Sequence, residues 1–133
     1  MSQPSHRGFT ELNTYKKARE LRQFVSKVMR KKLPSSEKYT LLDQIIRSSR
    51  SVAANIAEGH GRFYYKENIR FCRIARGSLE ETLEHFHVAL DEGYITKEDL
   101  RKFENDHYQN CRRLIDGYIR YLGNTKPGKG KEV

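Results

Sequence analysis

Histidine and cysteine are the side chains most able to do chemistry unaided, and here they are badly spaced for it. The five histidines are His6, His60, His85, His87 and His107. His85 and His87 lie two apart and so point in different directions on a helix. Glu84 and His87 imitate one Glu-x-x-His half of a di-iron bundle, but such a site needs two halves and two further inward carboxylates. His107 falls on an inner helical face, where a hydrogen-bonded core histidine is expected. Cys72 and Cys111 have no C-x-x-C neighbour and no disulfide framework around them, which reads as buried thiols in a reducing cytosol. There is no Walker A loop, no G-x-S-x-G elbow and no G-x-G-x-x-G turn, and Gly59-His60-Gly61 is too short to cradle a phosphate. No catalytic residue, metal or cofactor is expected, and the chain is not read as an enzyme.

The cations are another matter. Lys and Arg number 26 against 17 Asp and Glu, for a net charge of +9 and a pI near 9.7. That balance is an electrostatic footprint for nucleic acid, although anionic membranes and acidic proteins attract it too. Lys16, Arg19, Lys27 and Arg30 fall on one stripe of the first helix, away from its core face. Arg62, Lys66, Arg70 and Arg73 follow 4-4-3 spacing and form a second ridge. Tyr64 and Tyr65, beside Phe63, are placed to stack on unpaired bases. Cations that neutralise phosphates release counterions, so binding should weaken steeply with salt. No base-reading code is visible. After this ridge, Glu80, Glu81, Glu84, Asp91 and Glu92 form an acidic half with no Lys or Arg between 77 and 96. A rod with one basic and one acidic half suits head-to-tail contacts between identical subunits.

These residues must be positioned by 133 residues, enough for one domain. Apolar residues make up 36% and charged residues 32%, a lean core that helices with a single apolar stripe can tolerate. Residues 1–8 read as a loose arm, 9–123 as the folded unit and 124–133 as a flexible basic tail. Within the unit the spacing predicts four helices. The first spans about Thr10–Lys32, with Tyr15, Ala18, Leu21, Val25 and Val28 inward, and Pro34 stops it. The second starts near a Ser36 cap. Leu42, Ile45, Ser49, Val52 and Ile56 form its stripe, broadened by Leu41, Ile46 and Ala53, and Gly59 and Gly61 end it. Asn55 and Glu58 near that end are expected to bond a neighbouring backbone or an arginine such as Arg47 or Arg76, fixing register. The third spans about Tyr65–Asp91 and presents Ile69, Cys72, Arg76, Leu79, Leu83, Phe86 and Leu90 as a seam, with Gly93 as its cap. The fourth opens on Thr96, with Asp99 completing a capping-box variant. Leu100, Phe103, His107, Cys111, Leu114, Tyr118 and Leu122 line it. Short connections favour antiparallel neighbours, hence an all-α up-down-up-down four-helix bundle. No apolar run reaches the ~18–20 residues of a membrane span, and the N-terminus shows no signal-peptide core. A cytoplasmic protein with no membrane partner is expected.

The runs Asp43-Gln44-Ile45-Ile46-Arg47, Ser51-Val52, Asn55-Ile56-Ala57-Glu58-Gly59 and Gly61-Arg62 resemble the signature of the 23S rRNA intervening-sequence protein family. A second block also matches: Arg70-Phe71, Ile74-Ala75-Arg76-Gly77-Ser78-Leu79, Glu81, Ala89 and Gly93-Tyr94-Ile95. Phe9, Leu12, Lys17-Ala18 and Leu21 fit its opening, so that the similarity covers about residues 9–122. Tyr15 stands where the family often has Trp, Ala53 where Pro is common, and Arg50 where an apolar residue is usual. The resemblance marks Arg47, Asn55, Glu58, Gly59, Arg76 and Ser78 as structural-motif residues. It implies an antiparallel bundle assembling into a homopentameric ring. Members are encoded in insertions within bacterial large-subunit rRNA genes and elsewhere. A related group, the accessory variability determinant of diversity-generating retroelements, binds a reverse transcriptase and nucleic acid. The motifs do not separate these groups, so a nucleic-acid-binding accessory factor and a scaffold that docks a reverse transcriptase both stand as expectations.

Overall fold

The structure is a computed structural model that describes residues 8–125. The expected arm and tail therefore lie outside the described residues, save Gly8, Asn124 and Thr125. Helices α1 (Asn13–Lys32), α2 (Leu41–His60) and α3 (Tyr65–Asp91) are followed by a fourth rod in three parts. These are α4 (Lys97–Phe103), a π-helical turn (Glu104–Tyr108) and α5 (Gln109–Gly123). Short 3-10 turns, Phe9–Glu11 and Ser35–Glu37, precede α1 and α2. No strand occurs among the described residues. α1 packs beside α2 and α5, and α3 also packs beside α2 and α5. The rods thus run up, down, up and down around a square.

Local chemistry accounts for most of the boundaries. Leu33 takes an extended backbone ahead of Pro34, which ends α1. Thr96 accepts a bond from the Asp99 N–H at 3.1 Å while Asp99 accepts from the Thr96 N–H at 2.9 Å, a complete capping box. These bonds, with Lys32 at 3.4 Å, hold the Asp99 carboxyl below the usual carboxylate range. Gly93 has φ +79°, which only glycine adopts cheaply. The expected Ser36 cap is replaced: Glu37, in the 3-10 turn, accepts from the Leu41 N–H at 3.2 Å, from the Thr40 hydroxyl, and from Tyr94 Oη at 2.8 Å. The Thr40 bond, then those from Tyr94 and Leu41, lower the Glu37 pKa.

Ala18, Leu21, Val25, Met29, Ile45, Val52, Ile56, Leu79, Phe86, Phe103 and Ile115 fill the core. Phe86 and Phe103 stack with ring centroids 3.9 Å apart. The inward faces differ from the sequence reading in a regular way. In α1, Thr14 and Met29 are buried, while Tyr15 and Val28 are half-buried. In α2, Leu42 is half-buried, while Leu41, Ile46 and Ala53, expected to broaden the stripe, are buried. In α3 Cys72, Leu79 and Phe86 of the expected seam are fully buried, but its alternate positions move by one residue. Asn68, Ala75, Thr82 and Ala89 are buried, while Ile69, Arg76, Leu83 and Leu90 are half-buried. The cause is a close α2–α3 approach that only small side chains permit. Ser48 meets Thr82 at 2.8 Å and Ser51 meets Ser78 at 2.8 Å, so these polar groups are satisfied where they are buried. The π turn similarly advances the fourth rod, and Ile115 is buried where Leu114 was expected.

Gly59 corrects a second expectation. It lies inside α2, buried, and α2 continues to His60. A Cβ there would sit 2.9 Å from the Phe71 Cβ and 3.0 Å from the Asn68 carbonyl oxygen. Close approach of α3, rather than a left-handed cap, explains the glycine; Gly61, the residue after the helix, has φ −78°.

Candidate nucleic-acid interface

Lys16, Arg19, Lys27 and Arg30 are all exposed on α1, as their spacing requires. Among the described residues none of them forms an ion pair. Arg30 donates from Nε to Ser26 Oγ at 2.9 Å, which leaves the Ser26 hydroxyl hydrogen available. Between this stripe and α2 lies a groove of about 280 Å³ lined by Arg22, Gln23, Ser26, Lys27, Ile46, Ser49 and Arg50. No carboxylate lines it. Arg22 and Arg50 complete the groove, and Arg22 stood in neither basic ridge of the sequence reading. The available signal was the lack of Asp or Glu from Leu21 to Ser36 and from Gln44 to Ala57.

The second ridge is more engaged. Arg62 is bonded to Glu58 at 2.8 Å and lies over the Phe71 ring at 4.8 Å. Arg70 also lies over that ring, 5.1 Å from its centroid. Lys66 and Arg73 are exposed. Tyr64 flanks the start of α3 and its neighbour Phe63 meets it edge-on at 4.8 Å. Tyr65 does not join it. It lines a separate open groove of about 730 Å³ with Phe9, Phe63, Tyr118 and Tyr121, at the bundle end where α2 gives way to α3. Phe63 links the two tyrosines, since it contacts Tyr64 and lines the groove with Tyr65.

The motif residues form local and cross-helix bonds. Asn55 donates to the Ser51 carbonyl and hydroxyl, both at 2.9 Å, and Ser51 meets Ser78. Glu58 pairs with Arg62, Arg47 with Asp43 at 3.1 Å, and Arg76 with Asp116 at 2.7 Å. The backbone and arginine partners expected for Asn55 and Glu58 are thus the Ser51 carbonyl and Arg62, rather than Arg47 or Arg76. Arg112 bridges Asp116 and Glu80, and Tyr108 donates to Glu80 at 2.5 Å, which clips α3 to the fourth rod.

Cys72 and Cys111 are buried, and His107 is half-buried. Burial pushes Cys72 to about 11 and Cys111 to about 12, so neither is a thiolate near neutrality. His107 is stacked on Phe24 at 4.3 Å. Its Nδ1 is buried with no hydrogen-bond partner among the described residues, contrary to the bonded core histidine expected. Burial, then the nearby Lys17, lowers its pKa. No group of three His, Cys, Asp or Glu gathers as a metal site among the described residues. No described helix is long and apolar enough to cross a membrane.

The described helices thus define a small all-α protein with the architecture of a four-helix bundle. The family model of the 23S rRNA-intervening sequence protein matches residues 10–117. The chain belongs to that family. The solved structure of a protein of unknown function from the S23 ribosomal protein family of Bacteroides thetaiotaomicron is similar, with a TM-score of 0.72 and 21% identity. The match covers 80% of this chain and 98% of that one, and at this identity it speaks to the fold. No functionally curated protein matches the chain. Neither similarity points to an enzymatic family.

Proposed function

We propose that this protein is a non-enzymatic accessory factor that binds the backbone of RNA or DNA as a homo-oligomer. The observation that carries this reading is the α1–α2 groove, where Arg22, Lys27 and Arg50 converge with no carboxylate among the lining residues. Uncompensated cations repel one another across such a groove, and a phosphate offsets that repulsion while accepting bonds from guanidinium and hydroxyl donors. Lys16, Arg19 and Arg30 extend the contact along α1, and Arg62, Lys66, Arg70 and Arg73 supply a second, partly engaged set. Tyr65 with its aromatic neighbours, and Tyr64 beside them, offer stacking surface for unpaired bases. The homopentameric ring implied by the family resemblance would multiply modest contacts by avidity.

The test is light-scattering mass of the purified protein with a structured RNA at ~50 and ~500 mM salt, since phosphate contacts release counterions. Uptake at the lower salt and release at the higher is the expected result. Indifference to RNA at both would overturn the reading and leave the basic face as a docking surface for a protein, a reverse transcriptase being the first to try.

A further inference from the structure

The exposed aromatic side chains of the described residues gather at one end of the bundle. Six large apolar side chains are exposed: Phe9, Tyr39, Phe63, Tyr64, Ile74 and Tyr121. Three of them, Phe9, Phe63 and Tyr121, line the open groove of about 730 Å³ where α2 gives way to α3, and Tyr64 packs on Phe63 beside it. Apolar side chains gathered in this way mark a binding surface, whereas scattered ones do not. Tyr121 is 62% exposed, and its ring lies within 10° of the plane of Tyr118, with centroids 6.3 Å apart. The groove also holds polar groups whose hydrogen bonds have a fixed sense. Cys72 Sγ donates to Asn68 Oδ1 at 3.5 Å, and Asn68 Nδ2 donates to Tyr118 Oη at 3.1 Å. The Tyr118 oxygen therefore accepts, and its own proton has no acceptor among the described residues. That proton is left for whatever fills the groove. Arg62 lines the groove too, held by Glu58 at 2.8 Å and by the Phe71 ring. Its bond to Glu58 uses one of several guanidinium donors. Among the described residues no carboxylate lines this groove.

We infer that this groove seats one unpaired base of the bound nucleic-acid strand. The base lies against the Tyr121 ring, the Tyr118 hydroxyl donates to a carbonyl oxygen or ring nitrogen on its edge, and Arg62 takes the adjoining phosphate. This rests on the proposed function and adds what the cationic α1–α2 groove lacks, a means of telling unpaired from paired strand. A base is the occupant that uses all three features at once. An aliphatic side chain of a protein partner would cover the rings but leave the Tyr118 donor unmet. A carboxylate would meet the donor and the cation but leave the ring faces bare. Every base has a face to stack and an acceptor on its edge, so the groove selects the unpaired state rather than a sequence. A paired base enters only by losing its own stacking and pairing. The two grooves are close. Arg50 of one and His60 of the other lie on α2, about 15 Å apart along its axis, within reach of a strand a few nucleotides long.

Two blunt RNA duplexes test it, one fully paired and one with a single bulged nucleotide in the middle. Filter binding at ~50 mM salt, where phosphate contacts are weakly screened, should show the bulged duplex bound roughly tenfold more tightly, the gain that stacking one base supplies. Tyr121→Ala should bring the bulged duplex down to the affinity of the paired one. Tyr121→Leu, which keeps apolar area without a ring, should do the same, whereas Tyr121→Phe should retain the preference. Tyr118→Phe, which keeps the ring and removes the donor, should lower it severalfold. Lys27→Glu with Arg50→Glu should weaken both duplexes by the same factor. Helical circular dichroism confirms that each variant folds. Equal binding of the two duplexes by the parent protein would overturn the seated base and leave the proposed function standing. Binding of neither would overturn the proposed function and this inference with it. A preference that survives Tyr121→Leu would overturn stacking in this groove, and one unchanged in Tyr118→Phe would overturn the part given to the hydroxyl.

Discussion

A Cβ atom on Gly59 would stand 2.6 Å from Oδ1 of Asn68. The amide cannot swing away freely. Its Nδ2 donates to Tyr118 Oη at 3.1 Å, its Oδ1 accepts from the Cys72 thiol at 3.5 Å, and the residue is buried. One missing methyl group thus sets how near α3 comes to α2, and it links both helices to α5 through Tyr118.

Gly59→Ala is expected to lower stability by about 1–3 kcal/mol, the usual range for overpacking a filled interior. Gly77→Ala, in open space, is expected to raise subunit stability by up to about 1 kcal/mol through helix propensity. Urea unfolding of the two variants side by side checks the pair; opposite signs are required.

Thr82 donates to the Ser78 carbonyl at 2.9 Å and exchanges a bond with Ser48. Thr82→Val leaves the buried Ser48 hydroxyl with only the more distant Ile45 carbonyl at 3.3 Å. A loss of about 1–3 kcal/mol is expected, as for an under-satisfied buried polar group. Adding Ser48→Ala should cost less than the sum of the two single changes, because no orphan then remains. A double-mutant cycle with additive losses would contradict the hydroxyl pairing.

His107 gives stability a pH dependence whose sign follows from its lowered pKa in the fold. In the unfolded chain it protonates near ~6.5, while in the fold burial and Lys17 resist the charge, with Lys102 adding to and Asp106 and Glu20 opposing that effect. The unfolded state therefore binds more protons in the window below that value. The contribution is fully present above it and is lost as pH falls through the folded pKa. His107→Phe should flatten the stability profile in this window, as read by urea midpoints at successive pH values.

Asp116 titrates on a lower limb. Burial works against its charge, yet the bonds from Arg76 and Arg112 hold its pKa below the ordinary carboxylate value. Its contribution is present above that value and disappears as pH falls through the folded pKa. Asp116→Asn should cost less than about 1 kcal/mol near neutrality, since all three charges remain about a third exposed and screened, and nothing in strong acid. Equal costs at both pH values would remove the ion pairs from the explanation.

Lys27→Glu combined with Arg50→Glu should weaken RNA binding far more than the same change at Arg101 and Arg113, which are exposed cations of the fourth rod. For single strands, each phosphate that is no longer neutralised should make the slope of log affinity against log salt shallower by about 0.7. Filter binding across a salt series reads both quantities, and equal effects at the two pairs would leave the groove without a role.

The chain decided its helices and their order by itself, because the signals are local. A 3.6-residue apolar period, Pro34 after α1, Gly93 at the end of α3 and the Thr96–Asp99 box each act within a turn or two of backbone. The exposed stripe of Lys16, Arg19, Lys27 and Arg30 was legible for the same reason, since cations stay in water unless paired. What the spacing could not show is how close the helices come. Bulky Ile69, Leu83 and Leu90 marked the wrong seam on α3, because Gly59, Ser48 and Ser51 let small and hydroxyl-bearing residues meet there instead. The π turn, which rotates Ile115 inward, and the groove that gathers Arg22 with Arg50 from two helices likewise exist only once the rods are packed. Interhelical distance is set by the side chains of two helices at once, so only the tertiary structure could decide which residues face each other.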